Sequence, residues 1–390
     1  MIARPHAALE TVELGRERRC DIALVVASMR GGGVERVVLN LAAAFHDKGY
    51  RVDIVLVRAE GQLIDLIPPG VRLVALNASR TATAVAPLRR YLRSARPPIL
   101  IGFAFAVNLM VMLACLGRLK PPSLALSVHN SIVREFGEQP PPWRAALLLA
   151  TRLLYRRADR IICVSQGVAG ELARVTGIPG ARIRVINNPV IVGDAAVGPE
   201  GAALTREAVT RHDPAKPLVL AAGRLVPAKN FSLFLSAFAL VRREIDCSAV
   251  ILGTGPEHDA LEQLADRLKI SDNVTLAGFQ ADPWPFYRRA SAFVLSSDWE
   301  GLPTVLIEAM SVGTPVIATD CPYGPREILC DGRWGALVPV GDASALAAAI
   351  VMTLREGGID ARRRAMDFGA ARIAQEYLAM CGAVRQSPAA

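Results

Sequence analysis

The sequence has few aromatic residues, few histidines and no paired cysteines. Aromatic residues account for 5% of its 390 residues, there are five histidines, and the seven cysteines include no C-x-x-C pair. An odd number of thiols without metal-type spacing is typical of reduced, mostly buried cysteines in a cytoplasmic protein. Nucleic acid is disfavoured as a partner, because no basic stripe interleaves with aromatic residues.

The sequence also lacks a signal peptide and a clear membrane span. Residues 1–19 carry charges throughout and contain no apolar core. Residues 99–117 form a run of 19 residues without a charge, which meets the length criterion for a spanning helix. Because this run contains Gly102 and Asn108 and follows two prolines, we predict a buried strand at 99–103 and a buried helix at 106–116 instead.

The formal net charge is +9, and part of it surrounds a leucine-rich segment. Between Trp143 and Arg160, the residues Arg152, Arg156 and Arg157 lie among leucines. A cationic, leucine-rich helix of this kind could lie on an anionic bilayer, as a peripheral contact on the inner face of the plasma membrane. An amphipathic helix packed on its own domain explains the pattern equally well.

Short apolar runs alternate with helical patterns along the whole chain, which predicts βαβ units and parallel sheets. The first seven runs are 21–28, 52–57, 71–76, 99–103, 124–128, 160–164 and 183–186, and the next six are 218–222, 249–252, 274–277, 292–295, 316–318 and 335–338. We therefore predict an α/β protein with two Rossmann-like, doubly wound parallel-sheet domains facing each other across a cleft. Ligands bind such sheets beyond the carboxyl ends of the strands.

The predicted boundaries follow composition. A stretch rich in alanine, glycine and proline separates the two halves, so we assign 1–195 to the first domain, 196–217 to a linker and 218–384 to the second domain. Residues 1–18 and the tail from 385 are candidates for disorder. The last helix is a candidate to return to the first domain.

The segment 290–320 carries the strongest functional signal. It is predicted to form a strand, a turn, a helix and a second strand, with Glu300 in the turn and Glu308 in the helix, seven residues apart. Pro303 suits the first turn of a helix, where no N–H is needed. The N–H groups of residues 304–306 would then form an anion site at the positive end of the helix dipole.

Two cations and a glycine run also follow predicted strands. Arg224 and Lys229 lie in the loop after the first strand of the second domain, where they could neutralise a diphosphate without a metal ion. Three glycines, 31–33, follow the first strand and would allow the backbone to approach a phosphate or a sugar. They do not match the G-x-G-x-x-G fingerprint or a P-loop.

The remaining candidates are weaker, and each also has a purely structural interpretation. His129 ends a strand and is the one histidine in a cleft position. The glycines of 253–255 could hold phosphate or form a turn. Gly278 and Phe279 could hold a flat base or pack the end of a strand. Although Asp298 and Glu300 resemble a metal-binding pair, we predict no metal, because Arg224 and Lys229 already supply the positive charge.

Taken together, these motifs resemble glycosyltransferase family 4, a group of retaining, nucleotide-sugar-dependent enzymes with the GT-B fold. The matching segments run in order through about residues 21–342: 31–35, 223–230, 253–256, 278–279, and above all Glu300-Gly301-Leu302-Pro303 followed by Glu308-Ala309-Met310.

The resemblance implies a role for each matching residue. Arg224 and Lys229 would bind the donor diphosphate, with Gly32 and Gly33 approaching it from the other domain. The remaining roles are assigned as follows: Glu308 to the ribose hydroxyls, Glu300 and His129 to the transferred sugar, Gly278 and Phe279 to the base, and Leu302, Pro303, Thr304, Val305 and Leu306 to the helix start that faces the diphosphate.

One departure from the family pattern affects the expected substrate. Many members have two glycines after the residue matching Asp320, where this chain has Cys321-Pro322-Tyr323-Gly324-Pro325-Arg326-Glu327. This variant resembles transferases that build bacterial lipid-linked or surface glycans, so we expect such an acceptor and, by family frequency, a UDP-sugar donor. A nucleotide-sugar epimerase and a non-catalytic nucleotide-sugar or membrane-binding module are the alternatives. An epimerase would need more acid–base groups, whereas the intact motif residues argue against a non-catalytic module.

Overall fold

The structure is a computed structural model that describes residues 19–118, 121–137, 140–192, 213 and 215–382. The chain divides into two units. The first unit contains the described residues up to Pro189 together with those from Ala370 onward, and the second runs from Val190 to Gly369. Most of the predicted linker, 196–217, and the predicted disordered ends, 1–18 and 385–390, lie outside the described residues.

The first unit is built on a seven-stranded, all-parallel sheet in the order β3-β2-β1-β4-β5-β6-β7. Its strands are β1 (Ile22–Val26), β2 (Val52–Leu56), β3 (Arg72–Ala75), β4 (Ile99–Phe103), β5 (Ser123–Val128), β6 (Arg160–Cys163) and β7 (Ile183–Val185). Its first helices are α1 (Gly33–Asp47), α2 (Val85–Ala95), α3 (Phe105–Cys115), α4 (Ile132–Gly137), α5 (Pro141–Tyr155) and α6 (Gln166–Thr176).

The second unit is built on a six-stranded, all-parallel sheet in the order β10-β9-β8-β11-β12-β13. Its strands are β8 (Leu218–Ala222), β9 (Ser248–Leu252), β10 (Val274–Leu276), β11 (Ala292–Leu295), β12 (Val316–Thr319) and β13 (Ala336–Val338). Its helices are α7 (Phe231–Val241), α8 (His258–Arg267), α9 (Trp284–Arg289), α10 (Thr304–Ser311), α11 (Pro325–Leu329), α12 (Ala343–Glu356) and α13 (Arg362–Ala365).

The last helix, α14 (Ala370–Met380), belongs to the first unit and packs against α1. Its Ile373 and Tyr377 are buried. Arg160, at the start of β6, donates a hydrogen bond to the carbonyl of Met380 and so holds the end of the helix. The first and the last described residues of the chain thus belong to the same unit.

The sheets form because their strands are apolar on both faces. In β1 and β8 every residue is buried, which is typical of parallel strands covered by helices on both sides. On the outside of the second sheet, α7 contributes Phe234 and Phe238, both fully buried. Burying one such side chain contributes about 1.5–3 kcal/mol.

All thirteen predicted strands are present within the described residues, and their ends differ from the predictions by at most two residues. The uncharged run 99–117 forms β4 followed by α3, which confirms the strand-and-helix interpretation. Among the described residues, no helix combines the length and the apolar character needed to cross a bilayer.

Candidate functional site

The strand order of the second unit indicates where its sheet can bind a ligand. The order reverses between β8 and β11, and open parallel sheets bind ligands beyond the carboxyl ends of strands at such a point. The loop after β8 carries Arg224 and Lys229, and the loop after β11 carries Glu300. These three predicted residues therefore come from the two strands that flank the reversal.

Lys229 and Glu300 form a salt bridge at this point, with Lys229 Nζ 2.5 Å from Glu300 Oε1. The side chains are 21% and 8% exposed, so the pair is largely shielded from solvent. Ser297, which is fully buried, donates its hydroxyl to the same carboxylate oxygen at 2.6 Å. Charge-assisted hydrogen bonds are stronger than neutral ones, and two of them on one oxygen hold the carboxylate in a single orientation.

Asn230 fixes the loop that presents Lys229. Its backbone is left-handed, with φ 43°, a conformation that asparagine adopts more readily than most residues. Its side chain accepts a hydrogen bond from the N–H of Leu233 and caps α7, and it donates to Asp298 Oδ1 at 2.8 Å. Because Asp298 lies in the loop of Glu300, this bond joins the two loops.

Gly253 and Gly255 pack the loop after β9 against the loop after β8. Gly253 has φ 133°, and a Cβ there would collide with the carbonyl oxygen of Gly223. A Cβ on Gly255 would collide with the backbone of Leu225, whose N–H donates to the carbonyl of Thr254 at 3.0 Å. The sequence left open whether this G-x-G holds phosphate or forms a turn, and the structure gives both glycines a role in close backbone packing.

Arg224 is exposed on the loop after β8, directly after Gly223, which has φ 157°. It forms no ion pair with a carboxylate in the part of the chain that the structure describes. The guanidinium is therefore available to an anionic ligand, unlike the ammonium of Lys229, which is already paired.

Helix α10 begins at Thr304, with Pro303 at the N-cap position. It therefore begins one residue later than predicted, because Pro303 has an extended ψ of 105°. The N–H groups of Thr304, Val305 and Leu306 have no acceptor within the helix, since the first turn of a helix offers none. These donors lie at the positive end of the helix dipole and can bind an anion.

Glu308 lies in the second turn of α10 and is 5% exposed. The hydroxyl of Tyr287 donates to Glu308 Oε2 at 2.8 Å. Tyr287 is itself held by Thr314, whose hydroxyl donates to the Tyr287 carbonyl at 2.6 Å. One oxygen of the Glu308 carboxylate is thus fixed by a buried tyrosine.

The loop after β12, where the sequence departs from the family pattern, is bound to the backbone of Glu300. Glu300 N–H donates to the carbonyl of Pro322 at 2.7 Å, and Tyr323 N–H donates to the carbonyl of Glu300 at 3.3 Å. Gly324 has φ 90°, and a Cβ there would collide with Pro303 at 2.7 Å. This loop therefore lies directly against the residues that lead into α10.

The thiol of Cys321 lies at the start of the same loop. Burial, with a smaller contribution from the negative charge of Glu300, raises the pKa of Cys321 to about 12. The thiol is therefore protonated near neutral pH.

Gly278 and Phe279 follow β10, and both are partly exposed. Gly278 has φ 68°, and its carbonyl accepts a hydrogen bond from the N–H of Gly253 at 2.7 Å. A Cβ on Gly278 would meet no atom within 4 Å. The open space at Gly278, next in sequence to the partly exposed Phe279, is compatible with a flat ligand.

In the first unit the strand order reverses between β1 and β4. Gly31, Gly32 and Gly33 connect β1 to α1, with Gly31 at φ 104°, Gly32 at the N-cap and Gly33 as the first helical residue. Gly33 is exposed at a ligand-binding edge of the sheet, and the carboxylate of Glu35 lies beside Gly32, where a Cβ would be 2.5 Å from Glu35 Oε2.

His129 follows β5 and is 5% exposed. Ser127 Oγ lies 2.9 Å from His129 Nε2 and 3.2 Å from the hydroxyl of Tyr377 on α14. Burial lowers the pKa of His129 to about 4, while the side chain of Asn188 acts in the opposite direction. The imidazole is therefore neutral at pH 7 and can exchange hydrogen bonds without carrying charge.

Within the second unit, the structure brings Lys229 and Glu300 into contact and places Arg224 on the same loop as Lys229. Gly32, Gly33 and His129 lie in the first unit, each after a strand of its own sheet. Sequence reasoning missed Ser297 and Tyr287, which hold the two carboxylates. Ser297 could have been found from its place in the loop after β11, but nothing in the sequence indicates the contact of Tyr287.

Among the described residues, one group of side chains has the spacing of metal ligands: His258, Asp259 and Glu262 at the start of α8. The two acidic members are exposed. The carboxylates of Asp298 and Glu300, which resemble a metal-binding pair in the sequence, bond instead to Asn230 and to Lys229 with Ser297.

Known structures share this two-domain architecture. The Anabaena protein HepE, crystallised with UDP and glucose, superposes with a TM-score of 0.78 over 94% of this chain and 100% of its own, at 20% identity. The fold is therefore the GT-B fold, in which two Rossmann-like domains follow each other along the chain.

Family models match both units. Residues 31–193 match the model described as Glycosyltransferase Family 4, and residues 205–370 match the one described as Glycosyl transferases group 1. Both units therefore match glycosyltransferase families, the first unit family 4 and the second unit group 1.

Two curated glycosyltransferases are similar to this chain in sequence. A Campylobacter jejuni α-1,4-N-acetyl-D-galactosaminyltransferase, named for an undecaprenol-diphosphate-linked glycan, is 26% identical over 94% of this chain and 99% of its own. LpsE of Rhizobium meliloti, a lipopolysaccharide core biosynthesis glycosyltransferase, is 36% identical over 54% of this chain. This chain spans only 59% of the length of LpsE. It spans 27% of an uncharacterized glycosyltransferase of Methanocaldococcus jannaschii and 60% of a second Campylobacter jejuni N-acetylgalactosaminyltransferase.

Proposed function

We propose that this chain is a retaining glycosyltransferase that moves a sugar from a nucleoside diphosphate donor, a UDP-sugar, to a hydroxyl of a lipid-linked or cell-surface glycan. The observation that carries the proposal is the partly buried Lys229–Glu300 pair at the reversal point of the second sheet. A cation suited to a diphosphate and a carboxylate suited to a sugar are in direct contact there.

The diphosphate would be bound by three kinds of positive group. Arg224 supplies an exposed guanidinium, Lys229 an ammonium, and residues 304–306 the N–H groups of a helix start. Stabilising the charge that develops on a leaving group is commonly the largest catalytic contribution of a preorganised site. Because these groups already supply the positive charge, the proposal includes no metal ion and no other cofactor.

The sugar and the ribose would be bound by the two carboxylates. Glu308, held by Tyr287, would accept the ribose hydroxyls through its other oxygen. Glu300 would bind hydroxyls of the transferred sugar or stabilise the positive charge that develops on its ring. Gly278 and Phe279 would contact the base, and Leu302 and Pro303 would support the helix start.

The first unit would contribute Gly32, Gly33 and His129. The exposed start of α1 at Gly33 suits an approach to phosphate oxygens. His129, neutral and buried, suits a hydrogen bond to a sugar hydroxyl rather than a charge contact.

The proposed transfer proceeds on one face of the sugar. The bond between the anomeric carbon and the diphosphate oxygen breaks, and its electron pair remains on the diphosphate. The acceptor oxygen forms the new bond on the same face and gives its proton to a leaving diphosphate oxygen. No separate protein nucleophile is then required.

The acceptor class is supported by the names of the relatives. One acts on an undecaprenol-linked glycan and another in lipopolysaccharide core synthesis. We propose that the reaction takes place at the cytoplasmic face of the membrane that holds such an acceptor.

A panel of nucleotide sugars tests this function. The correct donor raises the melting temperature, because it binds only the folded protein, and slowly releases nucleoside diphosphate. The Glu300→Ala variant retains the fold and loses transfer, whereas Glu244→Ala, an exposed glutamate paired with Arg355, behaves as wild type. If no nucleotide sugar stabilises the protein or is turned over, the proposal is wrong.

A further inference from the structure

Helix α5 of the first unit carries its apolar residues on the outside. Trp143, Leu149 and Leu153 are 66%, 56% and 57% exposed. Together with Pro142 and Ala146, also exposed, Leu149 and Leu153 follow the three- and four-residue spacing of one helix face. A surface helix of a globular protein normally carries polar residues on this face, so the pattern is reversed.

The opposite face of α5 is anchored in the unit. Thr151 and Tyr155 are fully buried, and the ring centroid of Tyr155 lies 6.1 Å from that of Phe105 on α3. The helix packs against α3, α4 and α6. The exposed leucines are therefore held in position and are not a loose segment that could turn inward.

Arginines border the exposed apolar face, which we name the α5 outer face (Pro142, Trp143, Ala146, Leu149 and Leu153). Arg152 and Arg156 lie three residues after the two leucines, and Arg157 lies four residues after Leu153. All three are exposed, and within the described ranges none of them forms an ion pair. No acidic residue occurs between 141 and 157.

We propose that the α5 outer face binds the surface of an anionic lipid bilayer, with the leucines and Trp143 among the acyl chains and the arginines at the phosphates. Charge complementarity selects this partner, because exposed arginines that form no ion pair with any described residue lie beside apolar side chains and match an anionic headgroup layer above hydrocarbon. The 15 residues of α5 span about 22 Å, so the helix lies on the bilayer and does not cross it. The α5 outer face deepens the proposed function by naming its membrane partner, but binding through it needs neither donor nor acceptor.

Vesicle binding of the full chain tests the proposal. The wild type sediments with vesicles containing phosphatidylglycerol and far less with pure phosphatidylcholine, and the tryptophan emission, to which the exposed Trp143 contributes, shifts to the blue. The double variant Leu149→Glu/Leu153→Glu binds at least about tenfold more weakly. Met352→Glu, which changes a side chain 52% exposed on α12, leaves binding unchanged.

The arginines are tested separately. Arg152→Ala/Arg157→Ala weakens binding to the anionic vesicles about thirtyfold at low salt, because each basic residue near a charged surface contributes about 1 kcal/mol, or about a fivefold factor. Arg243→Ala/Arg267→Ala, which removes two exposed arginines of the second unit, has little effect. All variants retain wild-type melting temperature and nucleotide binding, since the altered side chains are exposed.

Three results overturn the proposal. Equal binding of wild type and Leu149→Glu/Leu153→Glu would show that another surface contacts the membrane. Equal binding to both kinds of vesicle would remove the role of the arginines. A dimer in sedimentation velocity that this double variant disrupts, without vesicle binding by the wild type, would show that the face joins two copies of the chain. Loss of vesicle binding with normal nucleotide turnover separates this proposal from the proposed function.

Discussion

Lys229 Nζ lies 2.5 Å from Glu300 Oε1, so the cation proposed for the donor diphosphate is paired with the carboxylate proposed for the donor sugar. The pair joins the loops after β8 and β11, the two strands at the reversal point of the sheet. When a diphosphate binds, Lys229 can share its three donors between the phosphate and Glu300. The salt bridge therefore keeps both side chains in position before the donor arrives.

Ser297→Ala tests whether the orientation of Glu300 matters for transfer. The variant removes the hydroxyl that donates to Glu300 Oε1 at 2.6 Å. We expect kcat to fall about tenfold, which corresponds to about 1.4 kcal/mol, with a small loss of stability. Steady-state kinetics with the identified donor measures the effect.

Thr353→Val is the matched control, because it removes a buried hydroxyl that donates to the backbone carbonyl of Ala349 within α12. It should cost stability and leave kcat unchanged. Equal kcat values for wild type and Ser297→Ala would show that Ser297 does not orient a catalytic group.

Tyr287→Phe tests the role of Glu308. The variant keeps the buried ring but removes the donor to Glu308 Oε2, so the carboxylate loses its fixed orientation. We expect affinity for a nucleoside diphosphate to fall about three- to tenfold, or about 1 kcal/mol. Titration with a 2′,3′-dideoxy analogue provides the control: if Glu308 binds the ribose hydroxyls, the variant and the wild type bind this analogue equally. A loss of the same size with both ligands would contradict the assignment.

Gly253→Ala tests whether the G-x-G segment supports the loop of Arg224 by close packing. The added Cβ would collide with the carbonyl of Gly223, so the loop must shift. We expect a loss of about 1–3 kcal/mol in the free energy of unfolding, together with weaker nucleotide binding. Gly357→Ala is the comparison, since Gly357 also has a positive φ, 80°, but a Cβ there meets no atom within 4 Å. If both variants lose equal stability and bind nucleotide equally, the packing role is wrong.

His129 predicts a specific pH dependence of stability. Burial lowers its pKa to about 4 from an ordinary value of 6.5. As the pH falls, the unfolded chain therefore binds a proton at this residue at a higher pH than the folded chain does. The stabilising contribution is therefore complete above pH 6.5 and is lost as the pH falls toward 4, by about 3 kcal/mol in all.

Urea unfolding of wild type and His129→Gln at several pH values between 4 and 7 measures this contribution. The wild type should lose more of its free energy of unfolding over this range than the variant. Parallel curves for the two proteins would contradict the assignment, as would an NMR titration in which His129 becomes protonated near pH 6.5.

The sequence predicted the strands because their apolar runs are short and bounded by polar or glycine-rich turns. In a parallel sheet such runs are buried on both faces, so the β8 and β11 segments could be identified without a structure. Arg224, Lys229 and Glu300 could be selected because they directly follow those strands. The start of α10 was predicted one residue early, since proline is compatible with both the N-cap and the first turn.

The contacts that hold the site could not be predicted, because they join segments far apart in the sequence. Tyr287 reaches Glu308 across 21 residues, and Ser127 reaches Tyr377 across 250. Local propensity and periodicity carry no information about such pairs. The solvent-facing position of Leu149 and Leu153 could not be predicted either. A helix on a membrane surface and a helix packed on its own domain have the same sequence pattern and differ only in which face packs inward.

Calorimetric titration with nucleoside diphosphates, UDP first, tests the central claim most directly. We predict that the wild type binds one of them without added metal, and that Lys229→Ala weakens binding about tenfold or more, because a charged hydrogen bond to the diphosphate is lost. Lys216→Ala, which removes a lysine of the same unit paired with exposed Asp246, should bind like wild type. Equal affinities for wild type and Lys229→Ala, or no binding of any nucleoside diphosphate, would contradict the account.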